Sequence, residues 1–534
     1  MTAASNGPPH ERPRPEVPTA DGAVRGTVES GVAVFRGIPY AAPPVGSRRF
    51  AAPQPAMRWD GVRPATAYGP PPPQTDVLTE NAPDGGTGGG AADDDWLTVN
   101  VWSPEPDPAA RRPVMVWIYG GGYVVGASSQ PEYDGGRLAR DGGVVVVTFN
   151  YRLGAEGFAH LEGAPANRGL LDQVAALEWV RDSITAFGGD PDRVTVFGES
   201  AGAGSVAALL AMPRAAGLFR RAVVQSMPGT FFSPALAADI AAACAGELGL
   251  RATVADLAAV DPALLALAGD TVAGSADRPD RVARWGRPAL RSIVFAPVVD
   301  GDVLPTTPWQ ALAAGAAKDV DLLAGHTRDE HRLFGLMSGL LGQVTPEQAQ
   351  AALQDFAPGP DGDRRYRAAY PDAGPDALYE LVHSDWLFRM PTLRLAQEQV
   401  TGGGRAHLYE LAWTAPGMGG MLGACHGLDV PLVLGNLTSG RPALLIGDGP
   451  TADATALSAL MRSAWTGFAR TGDPGWPAYD LDRQRTQVFD TRSVVTPYPQ
   501  ERSRRIWQDH TFAPLPLGGD PGPGARTNVP TLRP

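Results

Sequence analysis

The chain has 534 residues, 43% of them hydrophobic and 19% charged, with a formal net charge of -12. That length can bury a large core, and the negative balance argues against a general nucleic-acid or anionic-membrane binder, because phosphate attraction needs clustered positive surface. Only Cys244 and Cys425 are available, which excludes a disulfide framework, and no uninterrupted apolar stretch is long enough to span a bilayer.

Residues 1–18 are rich in Pro and polar side chains and read as a tail without a basic start or an apolar run after it, so a cytoplasmic protein is expected. Further along, Val114-Met115-Val116-Trp117-Ile118-Tyr119 reads as a buried strand that runs into Gly120-Gly121-Gly122-Tyr123. Three glycines without Cβ let backbone N–H groups turn inward toward a carbonyl oxygen. A second apolar run, Arg193-Val194-Thr195-Val196-Phe197, leads into Gly198-Glu199-Ser200-Ala201-Gly202, and a small-residue helical run follows. Strand, turn and helix in that order make a nucleophile elbow, which pushes the serine hydroxyl out above the sheet. Ser200 is therefore the expected nucleophile, and the N–H groups of Gly121, Gly122 and Ala201 are the expected oxyanion donors.

A third strand, Val320-Asp321-Leu322-Leu323-Ala324-Gly325, runs into His326-Thr327-Arg328-Asp329-Glu330. Asp329 and Glu330 both qualify as the acid that would orient a general base, and spacing alone does not separate them. The base itself must come from eight histidines. In this fold class the triad runs serine, acid, histidine along the chain, which removes His10 and His160. His426 fits best. It follows the strand His407-Leu408-Tyr409-Glu410-Leu411-Ala412-Trp413 by a Gly/Met-rich loop, where the sheet should deliver its base; a histidine that only packs in the core is the plainer alternative.

With these residues in place the chain resembles the type B carboxylesterases, the family of bacterial para-nitrobenzyl esterases and animal cholinesterases. The resemblance spans most of the chain. It runs through Phe35-Arg36-Gly37-Ile38-Pro39-Tyr40-Ala41, Asn150-Tyr151-Arg152-Leu153-Gly154, Leu171-Asp172-Gln173, Phe187-Gly188-Gly189-Asp190-Pro191 and the elbow. It continues through Pro297-Val298-Val299-Asp300-Gly301, Gly325 to Glu330, His426-Gly427 and Trp476-Pro477-Ala478-Tyr479. It implies an α/β-hydrolase fold, a central mostly parallel sheet flanked by helices, and hydrolysis of small, largely uncharged carboxylic esters through an acyl-serine intermediate. An acyltransferase with the same triad, or a non-catalytic binding protein on this fold, are the alternatives. The resemblance further implies Glu330 rather than Asp329 as the acid, and places Glu199, Ser226 and Asp329 in support around the triad.

The implied organisation is one catalytic domain over residues 19–513, with a tail at 514–534. Helix-like runs at Leu333 to Leu341, Pro346 to Leu353, Asp376 to Phe388 and Thr392 to Val400 suggest a helical cap over about 331–404. Tyr123, Leu333, Phe334, Met337 and Met418 are candidates to line the substrate pocket. Three departures from the family pattern stand out. Asp94-Asp95-Trp96-Leu97 lacks the family's cysteine, Gly86 stands where the cholinesterases carry a choline-binding aromatic, and Met227 replaces the glycine that usually follows Gln225-Ser226, on the expected acyl side. No metal-ligand spacing, Walker loop or dinucleotide fingerprint is present, so no cofactor or metal is expected, and a small-molecule ester is the expected partner.

Overall fold

Buried parallel strands read as continuous apolar runs because helices cover both of their faces, and that is how the centre of this protein is built. A computed structural model describes residues 14–75, 94–447 and 449–518. Its strands in chain order are β1 (Glu16–Pro18), β2 (Ala23–Arg25), β3 (Thr27–Glu29), β4 (Val32–Pro39), β5 (Val62–Pro64), β6 (Thr98–Ser103), β7 (Arg112–Ile118), β8 (Val145–Phe149), β9 (Gly189–Glu199), β10 (Arg221–Gln225), β11 (Asp321–Thr327), β12 (Ala406–Leu411), β13 (Thr486–Phe489) and β14 (Val494–Thr496).

Among the described residues, eleven strands form one sheet in the order β14-β13-β12-β11-β10-β9-β7-β8-β6-β4-β3. The pairings from β8 through β7, β9, β10, β11 and β12 to β13 are parallel, and both flanks are antiparallel. This is the mostly parallel sheet that the sequence implies. From β7 the chain crosses to β8 on one side and then to β9 on the other, so the order reverses between β7 and β9. A crevice opens at the carboxyl ends of strands at such a switch point. Those ends carry Gly120 to Gly122 and Ser200.

Helices Ala201–Ala211, Met390–Thr401 and Ala452–Thr471 pack on the central strands. The first sits close because it starts with glycines: a Cβ on Gly202 would lie 2.0 Å from the Ile118 carbonyl oxygen. One apolar cluster extends from Val17 to Phe512.

The expected tails need correction at their inner ends. Glu16–Pro18 form β1, paired with β2, because Val17 is buried and joins the core. Leu515 donates its N–H to the Phe231 carbonyl and accepts from the Ser233 N–H, which ties the chain down beyond residue 513. Residues 1–13 and 519–534, and Gly86 with the segment around it, lie outside the described residues. Between Glu330 and His426 the structure has helices at Arg332–Met337, Pro346–Phe356, Gly362–Ala369, Pro375–Ser384 and Met390–Thr401. Among the described residues no helix is long and apolar enough to cross a membrane. Cys244 and Cys425 are buried free thiols.

Candidate active site

Ser200 directly follows β9 and is the N-cap of the next helix, with φ 56° and ψ -125°, a region that costs a non-glycine residue about 1–3 kcal/mol. Two backbone bonds hold it there, Ser200 N–H to the Gln225 carbonyl and Gly204 N–H to the Ser200 carbonyl, each 2.9 Å. The turn turns the serine away from the sheet and toward the glycine loop: a Cβ on Gly120 would stand 3.0 Å from the Cβ of Ser200.

Beyond β7, Gly121 and Gly122 take φ values of 105° and 63°, which only glycine adopts without strain. The Gly121 carbonyl accepts from both Val124 N–H and Val125 N–H at 3.1 Å. Because the two ends of a peptide plane point in opposite directions, pinning that carbonyl also fixes where the Gly122 N–H points. Among the described residues neither Gly121 N–H nor Gly122 N–H has an acceptor. The Ala201 N–H belongs to the first turn of its helix, where donors lack intrahelical partners.

Glu330 is fully buried and ties three segments together. Its Oε1 accepts from the Ser226 hydroxyl at 2.6 Å and the Thr327 N–H at 2.9 Å, and its Oε2 lies 2.6 Å from His426 Nδ1. Burial works against its charge, but His426 and Ser226 hold the carboxyl below the usual range. Asp329 does something else. It accepts from Ala424 N–H at 2.8 Å and pairs with Arg328 at 3.0 Å, so it docks the acid loop onto the loop that carries His426. Of the two carboxylates, Glu330 is the one that reaches the imidazole.

On the other side of the ring, His426 Nε2 lies 3.1 Å from Glu199 Oε1. Burial would lower the imidazole's proton affinity, yet Glu199 and Glu330 outweigh it and raise His426 to about 9. Burial raises Glu199 to about 8 against the pull of His426. Among the described residues the Ser200 hydroxyl, which is partly exposed, makes no hydrogen bond to His426. One χ1 rotation reorients a serine, and nucleophile–base bonds commonly tighten only in the Michaelis complex.

Two phenyl rings, themselves stacked with centroids 5.8 Å apart, pack against the imidazole. Phe388 stacks on it with centroids 4.2 Å apart, and Phe334 lies at 5.2 Å. Phe388 was not singled out from the sequence. It rides on a π-helical turn, Asp385–Arg389, whose wider winding closes with Met390 N–H on the Asp385 carbonyl just before Pro391, a residue without an N–H to donate. The turn is held by the buried Arg389–Asp385 pair at 2.6 Å, by the Tyr366 hydroxyl on Asp385, and by Arg389 Nη1 on the Arg328 carbonyl beside the acid.

The other expected pocket residues divide. Leu333 and Phe334 are partly buried, and Phe334 lies against His426. Met337 and Met418 are 73% and 53% exposed, so they do not wall a closed gorge: Met337 ends its short helix, and Met418 sits at φ 52° in a loop turned outward. Tyr123 is buried in the core, its ring tilted on Phe158 and its hydroxyl against Gly204. Met227 is also fully buried, its N–H on the Thr392 hydroxyl. Among the described residues no group of three or more His, Cys, Asp or Glu is arranged to hold a metal ion.

The family model of the carboxylesterase family matches residues 13–503. The chain belongs to the carboxylesterase family. It is 39% identical to the para-nitrobenzyl esterase of Bacillus subtilis (strain 168), over 92% of this chain and 97% of that protein. It is 35% identical to a phenmedipham hydrolase of Pseudarthrobacter oxydans, over 88% and 94%. The crystal structure of a Geobacillus stearothermophilus carboxylesterase superposes with a TM-score of 0.80 at 37% identity, covering 92% of this chain and 100% of that one. The protein is thus a carboxylic ester hydrolase of the α/β-hydrolase fold.

Proposed function

We propose that this carboxylesterase cleaves small, uncharged esters through an acyl-Ser200 intermediate. Neutral His426 takes the Ser200 proton on Nε2 as the hydroxyl attacks the ester carbonyl, and Glu330 holds Nδ1–H and stabilises the imidazolium. The N–H groups of Gly121, Gly122 and Ala201 receive the charge that develops on the carbonyl oxygen. Collapse of the tetrahedral intermediate passes the His426 proton to the leaving alcohol, and water then repeats the sequence on the acyl-enzyme. The observation that carries this reading is the 2.6 Å contact of Glu330 with His426 Nδ1, which leaves Nε2 facing the elbow side of the ring.

The helices between 331 and 404 supply Phe334 and Phe388 against His426, which supports a cap over the site and apolar acyl or alcohol groups. Gly86 supports neutral esters over choline esters, since it offers no aromatic face to a quaternary ammonium. Labelling with diethyl p-nitrophenyl phosphate followed by peptide mapping tests the nucleophile. Phosphorylation of Ser200 with stoichiometric loss of p-nitrophenyl butyrate hydrolysis is expected, and a label on any other residue overturns the assignment. Butyrylcholine is expected to fall about thirtyfold below a neutral butyrate ester in kcat/KM, the worth of one desolvated cation–π contact of about 2 kcal/mol.

A further inference from the structure

Gln74 sits in a proline-rich stretch before the entrance segment, where it reads as an ordinary polar linker residue. Its side chain is nevertheless engaged with the glycine loop by two bonds of equal length. Gln74 Nε2 donates to the Gly126 carbonyl at 2.9 Å, and Gly126 N–H donates to Gln74 Oε1 at 2.9 Å. Reversing the amide would set donor against donor and acceptor against acceptor, so the orientation is unambiguous. Nε2 also donates to the Pro72 carbonyl at 3.1 Å, which fixes the side chain to its own turn.

Gly126 lies beneath the oxyanion loop. Its φ is 126°, and a Cβ there would meet the Tyr119 ring at 2.6 Å and the Gly120 carbonyl oxygen at 3.1 Å. The peptide plane between Val125 and Gly126 has its N–H on Gln74, so its carbonyl points the opposite way, onto Gly121: a Cβ on Gly121 would lie 2.0 Å from the Val125 oxygen. The Val125 N–H in turn helps pin the Gly121 carbonyl. Gln74, the 125–126 peptide and the Gly121–Gly122 turn thus form one chain of contacts. Nothing else among the described residues bonds the Gly126 N–H.

We propose that Gln74 is a positioning residue for the oxyanion donors: its amide locks the 125–126 peptide, and through it the Gly121–Gly122 turn, so that the two glycine N–H groups stay aimed at the reacting carbonyl oxygen. The inference rests on the reading of Gly121 and Gly122 as oxyanion donors. A loop of glycines has many accessible backbone states, and fixed donors are worth far more than donors that must reorganise as charge develops. Gln74 supplies the restraint from outside the loop.

Two variants test it. Gln74→Met removes both bonds at similar side-chain length, whereas Gln74→Glu keeps an acceptor for the Gly126 N–H but sets a carboxylate against the Gly126 carbonyl. Active sites are counted with diethyl p-nitrophenyl phosphate. Then kcat and KM are measured for p-nitrophenyl butyrate, together with inhibition constants for an alkyl trifluoromethyl ketone and the matching methyl ketone. The fluorinated ketone adds the serine hydroxyl and places an oxyanion in the hole, and the methyl ketone stays a ground-state mimic. Both variants are expected to lose about tenfold to a hundredfold in kcat and a similar factor in preference for the fluorinated ketone, with KM within about twofold. Misfolded enzyme lowers the active-site count but not the ketone ratio, so the readout survives partial unfolding. Variants that keep the wild-type kcat and ketone ratio overturn the role of Gln74, as does a change confined to KM. A wild-type enzyme that does not prefer the fluorinated ketone overturns the oxyanion reading instead.

Discussion

Glu199 Oε1 lies 3.1 Å from His426 Nε2 while Glu330 Oε2 lies 2.6 Å from Nδ1, so the imidazole stands between two carboxylates. A general base must be neutral to accept a proton, and both anions favour the imidazolium; they outweigh burial and raise His426 to about 9, while burial raises Glu199 to about 8. The two groups lie close enough to titrate as a unit. Activity should therefore rise with pH through a limb displaced to the alkaline side of ordinary histidine. Replacing Glu199 by Gln removes an anion that stabilises the imidazolium, so the pKa falls and the limb moves to lower pH by about one unit or more. The pH profile of kcat/KM in the two proteins measures this, and an unmoved limb would separate Glu199 from the catalytic proton.

Ser200→Ala is expected to lower kcat for p-nitrophenyl butyrate by about 10⁶-fold, and Glu330→Gln by about 10⁴-fold, with folding intact. Nucleophile and base act together, so Ser200→Ala combined with His426→Ala should be little worse than either alone. Single-turnover rates and circular dichroism of the four proteins check this. Additive losses would mean that the serine and histidine work separately.

Ser226 holds Glu330 through a 2.6 Å hydrogen bond while itself sitting at φ 54°. Ser226→Gly removes the hydroxyl but relieves the backbone, so its effects on activity and stability should part. Losing a hydrogen bond to a charged group costs about 1.5–3 kcal/mol, which corresponds to roughly tenfold to a hundredfold in kcat/KM if it is felt in full at the imidazolium. Thermal stability should hold or rise, because glycine takes a positive φ freely. Equal falls in both would make Ser226 a packing residue.

The strands that carry the chemistry are legible because each is a buried apolar run that stops at Gly, Ser or an acidic turn. Val114 to Ile118, Val194 to Phe197, Leu322 to Gly325 and His407 to Leu411 all lie in β7, β9, β11 and β12. Helical periodicity locates Pro346–Phe356 and Met390–Thr401 to within a few residues of expectation. What the sequence conceals are contacts set by local winding and by distance along the chain. Phe388 meets His426 from within a turn over 385–389 that is π rather than α, a winding that shifts side-chain register away from the 3.6-residue period read in the sequence. Asp329 and Glu330 are neighbours with the same chemistry, and only the closure of the acid loop onto Ala424 decides which one meets the imidazole. Gln74 carries no periodic or motif signal, since both of its key partners are main-chain atoms of Gly126.

Met227 stands where the family pattern has glycine, and the structure seats its side chain in the interior with no exposed surface, its N–H bonded at 3.0 Å to the hydroxyl of Thr392 on the helix Met390–Thr401. A side chain with no exposed surface is core filling rather than an open pocket wall. Met227→Gly should then leave a cavity that the surrounding strands and helix close only in part, at about 2–5 kcal/mol, with glycine's extra freedom adding roughly 0.5–1 kcal/mol. Acyl preference should not change. The ratios of kcat/KM among acetate, butyrate and pivalate esters, together with the denaturation midpoint, distinguish the outcomes. Lower stability with constant ratios makes Met227 a core residue. A tenfold gain for pivalate at unchanged stability would instead place its thioether against the acyl group, because relieving one or two methylenes of clash is worth about 1–3 kcal/mol in discrimination.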